Sequence, residues 1–180
     1  MILFRSSTNI NLMKSRAGWV WVGALLAGLW WLTAMLYPRL PDRIPGHFGP
    51  RGDVTRWADR VEFWWIPVVA TGLVLLVFAL TRLAFRYPEI LNLPQKERFL
   101  SLPEYLRHKL VRVLDFYLAF LTGYLCVLFG YLQWNTYLVA LGAAKGLGWE
   151  IWLFFAIVPL LIGWMIWDTN RRLRLVQRTL

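Results

Sequence analysis

The sequence predicts an all-α, four-helix transmembrane bundle, and three observations carry that prediction. Hydrophobic residues make up 58% of the 180 and charged residues only 17%, below the roughly 25% usual in water-soluble domains. Four runs are long and apolar enough to cross a hydrocarbon layer about 30 Å thick, which takes about 20 helical residues. Basic residues flank these runs instead of interrupting them.

The first run, Ala17–Tyr37, holds 21 residues without a charge. It exceeds the 7–15 apolar residues of a signal peptide, so a retained first helix is expected. Met13 opens "MKSRAGW", so residues 1–12 read either as a poorly ordered extension or as the product of a misplaced start. The second run, Phe63–Leu83, is apolar until Arg82. The third, Val113–Trp134, carries only Asp115 near its start and Gln133 near its end. The fourth, residues 150–167, is the shortest, and Trp149, Trp152, Trp164 and Trp167 suit interfacial belts at its two ends. A single membrane domain over residues 1–180 is therefore expected, with loops at 38–62 and 84–112 and a tail at 168–180.

With four spans, the amino end, the second loop and the tail share one side. That side and its helix ends hold fourteen basic residues: Arg5, Lys14 and Arg16, then seven from Arg82 to Arg112, then Arg171, Arg172, Arg174 and Arg178. The opposite side holds six: Arg39, Arg43, Arg51, Arg56, Arg60 and Lys145. Positive residues collect on the cytoplasmic side, so both termini are expected in the cytoplasm of a prokaryotic plasma membrane. The net charge of +10 then serves orientation and anionic lipid. No zinc-finger, helix-turn-helix or ribonucleoprotein signature points to nucleic acid.

The second loop breaks at Pro88 and Pro94 and then offers Ser101 and Glu104 at capping-box spacing, with Pro103 between them. Leu102, Tyr105, Leu106, Lys109 and Leu110 come next, interleaved with Arg107, His108 and Arg112. Two readings stand: an amphipathic cytoplasmic segment on the lipid surface that bends into the third span, or a plain extension of that span.

The first loop, "YPRLPDRIPGHFGPRGDVTRWADR", is stiffened by Pro38, Pro41, Pro45 and Pro50. Asp53 or Thr55 is expected to cap a short helix through "RWADRVEF" that leads into the second span. Arg56, Arg60, Asp59 and Glu62 would line its polar surface. The candidate recognition residues are Arg43, His47, Asp53 and Trp57. His47 with Asp53 could form an acid/base pair, but no serine or cysteine nucleophile lies nearby. One histidine among carboxylates falls short of a metal site.

"LPDRIPGHFGPRGDVTRW" resembles the signature of the prokaryotic membrane family known as domain of unknown function 1648. Leu40, Pro41, Ile44, Pro45, His47, Phe48, Gly52 and Trp57 fill the pattern. Gly49 stands where the family often has Asn, and Arg60 where it often has Lys. "YPEILNLP" (Tyr87–Pro94) and "YLVALG" (Tyr137–Gly142) extend the likeness more loosely. The resemblance implies a multi-helix membrane protein with no agreed biochemical activity. Its best understood relatives resemble immunity proteins against the sporulation-delaying toxin of bacilli, which implies peptide-toxin protection and membrane capture of a repressor. Those relatives carry a further membrane region after the part that this chain matches.

Function is therefore expected to be non-enzymatic: a membrane protein that recognises a protein or peptide partner, in sensing or toxin immunity. The alternative is an accessory subunit of a larger membrane complex, and a transporter or membrane enzyme comes third. No H-E-x-x-H, phosphate-binding loop or serine triad is present, and no cofactor is expected. Cys126, inside an apolar run, reads as a packing residue. Arg82, Asp115, Glu150 and Asp168 are placed near span ends, where transport chemistry is not expected. Gly23/Ala27, Ala24/Gly28 and Ala119/Gly123 are predicted as helix-packing seams.

Overall fold

The computed structural model describes residues 7–87, 89 and 96–177, with side chains described for 18–87, 89 and 96–175. Arg5, Pro88, Pro94 and Arg178 lie outside the described residues, as do the side chains of Lys14 and Arg16. In chain order the elements are α1 (Ser7–Leu36), a 3-10 turn (Tyr37–Arg39), β1 (Arg43–Phe48) and β2 (Val54–Asp59). A second 3-10 turn (Arg60–Trp64) leads to α2 (Trp65–Arg86), α3 (Lys96–Leu100), α4 (Glu104–Ala140) and α5 (Glu150–Gln177).

The structure is mostly helical, and four stretches are long and apolar enough to cross a membrane. These are Gly18–Arg39, Arg60–Arg86, Glu104–Ala140 and Glu150–Leu175. α4 is the hub: α1, α2, α5 and β1 all pack on it. Its buried residues include Val111, Asp115, Ala119, Thr122 and Cys126, the three- and four-residue steps that keep one helical face turned inward. α5 is the peripheral member. Only 11% of its apolar window is buried, against 39% for α4, which leaves Trp152, Leu160 and Trp164 facing outward.

Three expectations change once the packing is visible. Of the three predicted small-residue seams, Ala119/Gly123 on α4 forms and the two on α1 do not. A Cβ on Gly123 would press on the Trp21 indole, and one on Gly18 would come within 3.2 Å of the Ala119 methyl. Gly23, Ala24, Ala27 and Gly28 do not form such a seam; Gly23 and Gly28 have open space where a Cβ would stand. The capping box does not form either: Pro103 occupies the N-cap of α4, and Ser101 Oγ donates to the Arg98 carbonyl at 2.9 Å. Finally, α4 runs as one unbroken helix from Glu104 to Ala140. At 1.5 Å per residue its 37 residues reach about 55 Å, well beyond the membrane core. The continuous helix matches the plain-extension reading, and Phe99 and Leu102 are buried against Leu110, Val111 and Leu173.

Buried polar groups tie the helices together. Asp115 is 1% exposed and lies about three turns inside α4. It accepts from Trp19 Nε1 of α1 at 2.8 Å and from Arg82 Nη2 of α2 at 3.1 Å. A carboxylate with so little water needs such partners, and three helices meet on it. Asp168 of α5 accepts from the Tyr117 hydroxyl and from Arg172 in the same way. At the opposite end, fully buried Gln133 donates to Thr33 Oγ1 at 2.9 Å and to the Phe63 carbonyl at 3.1 Å.

Candidate functional site

The loop between the first two spans is a β-hairpin, where the sequence suggests a stiff loop and then a short helix. Arg43 lies opposite Asp59, Ile44 opposite Ala58 and Pro45 opposite Trp57, with irregularities on either side of His47. The Arg60 N–H donates to the Asp42 carbonyl at 3.1 Å, which sets the parity of the antiparallel ladder. Ile44/Ala58 is then a hydrogen-bonded pair, and Pro45/Trp57 a non-bonded one. Proline sits in β1 without loss, because its missing N–H would have pointed away from β2. Asp59, not Asp53 or Thr55, supplies the cap. Its Oδ1 accepts from the Val61 N–H at 2.8 Å at the start of the second 3-10 turn.

Alternation along the strands turns Ile44 and Ala58 inward, 1% and 3% exposed. Ile44 joins Leu36, Leu40, Phe63 and Tyr137 in a small core. Burying an aliphatic or aromatic side chain of this size stabilises by about 1.5–3 kcal/mol relative to water. That burial holds the hairpin on the bundle. Arg43, Trp57 and Asp59 fall on the other face, with Trp57 50% exposed.

The tip is clamped separately. Gly49 N–H donates to the Asp53 carbonyl at 2.7 Å, and Gly52 N–H to the Gly49 carbonyl at 2.9 Å. Gly52 has φ +81°, and an added Cβ would collide with the Leu147 carbonyl oxygen, so only glycine suits this position. Leu147 N–H donates to the Gly52 carbonyl at 2.8 Å, and Asp53 bridges Gly146. The connection between α4 and α5 therefore grips the hairpin tip.

A third tie comes from Arg56. Its guanidinium forks onto both Glu62 carboxylate oxygens at 3.0 and 2.6 Å and donates to the Gly46 carbonyl at 3.0 Å. The Glu62 hydrogen bond and charge raise the Arg56 pKa above its ordinary value. One charged side chain thus links β2, β1 and the approach to α2. His47 Nδ1 lies 2.6 Å from Thr55 Oγ1.

Two adjoining cavities lie beneath the hairpin. One, of about 330 Å³, is lined by Ile44, Gly46, Arg56, Phe63 and Leu132 among others. The second, of about 520 Å³, is lined by His47, Leu147, Trp152 and Phe155. Phe48 and Leu132 border both. The lining is apolar with a few polar groups at the hairpin side, the usual composition of a ligand-binding or active-site cleft.

Of the four residues singled out from sequence, Arg43 and Trp57 share the hairpin's outer face. His47 is exposed on β1 opposite Arg56 and lines the second cavity, and Asp53 lies at the clamped tip. His47 partners Thr55 rather than Asp53, so the acid/base pair does not form. Arg56 and Glu62 belong to the site as its brace, although their sequence context suggests a helix surface. Their spacing across a strand–turn junction matches neither helical nor strand neighbours.

Residues 24–71, from within α1 through the hairpin into α2, match the model of a family described as "Domain of unknown function (DUF1648)". A protein of the archaeon Archaeoglobus fulgidus, described as "Uncharacterized protein", is 34% identical over 73 residues. That similarity covers 38% of this chain and 40% of the relative, so well under two thirds of either is shared. No solved structure matches the chain.

Proposed function

We propose that this is a non-enzymatic multi-pass membrane protein that recognises a protein or peptide partner through the outer face of the hairpin. The observation that carries this reading is the combination of bracing and exposure at one place. The hairpin is fixed by the Ile44 core, the Leu147–Gly52 clamp and the Arg56–Glu62 brace, yet Trp57 remains half exposed with Arg43 on the same face, and His47 is exposed at the cavity edge. A rigid aromatic and cationic surface costs little entropy on binding, and Trp and Arg dominate binding hot spots.

The basic residues crowd the side of the termini, which supports a plasma-membrane orientation with both termini inside and the hairpin outside. Sensing and toxin immunity rest on the sequence resemblance alone, and they make a secreted peptide the first partner class to test. Complementation of a deletion strain tests the reading. The triple variant Arg43→Ala/His47→Ala/Trp57→Ala should reach the membrane at wild-type level and fail to complement. Full complementation by that variant would remove the hairpin from the function.

One observation favours a second reading, an accessory subunit of a larger complex. α5 leaves Trp152, Leu160, Trp164 and Trp167 uncovered along its length. That reading requires stoichiometric co-purification in mild detergent, unchanged by the triple variant.

A further inference from the structure

We propose that the free edge of β2 accepts an extended peptide segment as a third strand of the hairpin sheet. The inference rests on the partner-recognition reading above and specifies how that partner is held.

The two edges of the sheet are not equivalent. β1 packs on α4, and at its middle Pro45 has no N–H to offer. β2 is the outer strand, contains no proline, and exposes Thr55, Arg56, Trp57 and Asp59. The ladder parity fixed by the Arg60–Asp42 bond turns the N–H and C=O of Trp57 and the N–H of Asp59 away from β1, while the Asp59 carbonyl, at the N-cap of the second 3-10 turn, is taken up by that turn. Among the described residues, no backbone group beyond the hairpin and the turn that follows it bonds to these outward groups. These groups sit two residues apart, about 7 Å along the strand. A row of donors and acceptors at that spacing is complemented by extended main chain. A helix cannot complement it, because its own main-chain groups are already paired.

Several of the usual guards of an edge strand are missing from this stretch, although the exposed Asp59 carboxylate stands at its end. There is no lysine and no proline on β2, and the ladder irregularities lie at His47 rather than between Trp57 and Asp59. Arg56 cannot act as an outward guard, since Glu62 and the Gly46 carbonyl hold its guanidinium. Trp57, on the outer face, offers an aromatic surface to a side chain of the incoming strand, the kind of neighbour pair that stabilises a sheet. The predicted ligand is an extended segment with an apolar residue placed beside Trp57.

The test uses the full chain in lipid nanodiscs and a displayed library of random linear peptides of about 12 residues. A selected binder is then resynthesised with single N-methylated amides at each position. Strand addition predicts a two-residue period: losses of about tenfold at each bonding amide and little change at those between. On the protein side, Trp57→Pro removes an outward N–H without removing a hairpin bond, and should abolish binding. Trp57→Ala keeps that N–H and should retain measurable binding. Equal losses in both variants without a two-residue period in the peptide would overturn edge pairing while leaving side-chain recognition intact. Absence of any binder from the library would overturn edge pairing as well. Loss of complementation by the triple variant is read separately and reports only on the parent reading.

Discussion

Replacing Gly52 by alanine isolates the clamp between the hairpin tip and the α4–α5 connection. The φ of +81° lies in the left-handed region, which costs an ordinary residue about 1–2 kcal/mol. The new methyl also collides with the Leu147 carbonyl oxygen, so the two segments must part. That separation sacrifices the Leu147-to-Gly52 hydrogen bond of 2.8 Å, a further loss of about 1 kcal/mol. Together these give about 2–3 kcal/mol against the closed clamp. At about 1.4 kcal/mol per factor of ten, the Leu147 amide should exchange with solvent about 30- to 150-fold faster. Residue-resolved hydrogen exchange on the full chain in nanodiscs reads this directly, with the Cys126 amide deep in α4 as the internal reference. Unchanged protection at Leu147 would refute the clamp. An equal loss at Cys126 would show that Gly52 supports the whole bundle and not the tip alone.

Arg82→Leu should leave the buried Asp115 carboxylate short of a cation and lower stability by about 3 kcal/mol or more. The double variant Asp115→Leu/Arg82→Leu should recover part of that loss in thermal unfolding monitored in detergent. Ala119→Leu should destabilise by about 1–3 kcal/mol through overpacking against α1, whereas Ala27→Leu, on the exposed side of α1, should be neutral in the same measurement. For topology, a cysteine at Arg51 should label from outside intact cells and one at Arg98 only after permeabilisation. Cys126 is buried and should contribute little background.

The four membrane helices were legible because a span of apolar residues needs no partner to be recognised. Lipid imposes the same length requirement on each of them. The hairpin was hidden because its strands break the usual strand grammar. Pro45 and Gly46 stand in the middle of β1, and the pairing is stabilised from outside by Leu147, Gly146 and α4. No local pattern near residue 54 announces those distant contacts. The two predicted seams on α1 fail for a related reason, whereas Ala119/Gly123 holds. Small residues four apart mark a face that can pack closely, but composition cannot say which such face meets a neighbour. Gly123 is set by the indole of Trp21, while Gly23 and Gly28 have nothing near them. Asp115 is legible in sequence as a charge near a span end but not as a meeting point of helices, because its partners, Trp19 and Arg82, come from two other helices. Of the site itself, Arg43, His47 and Trp57 could be picked out from sequence, since exposed aromatic and charged residues in a stiff loop stand out. The Arg56–Glu62 brace could not, because it depends on the turn that only folding creates.

Central to this account is whether the hairpin touches a partner in the native membrane. A photo-crosslinking benzophenone amino acid placed at Trp57 measures that contact in living cells, with the same group at Leu160 on outward-facing α5 as the comparison. A discrete crosslinked product from position 57, absent from position 160, is the predicted result. A product from position 160 alone would contradict the account and move recognition from the hairpin to the face of α5.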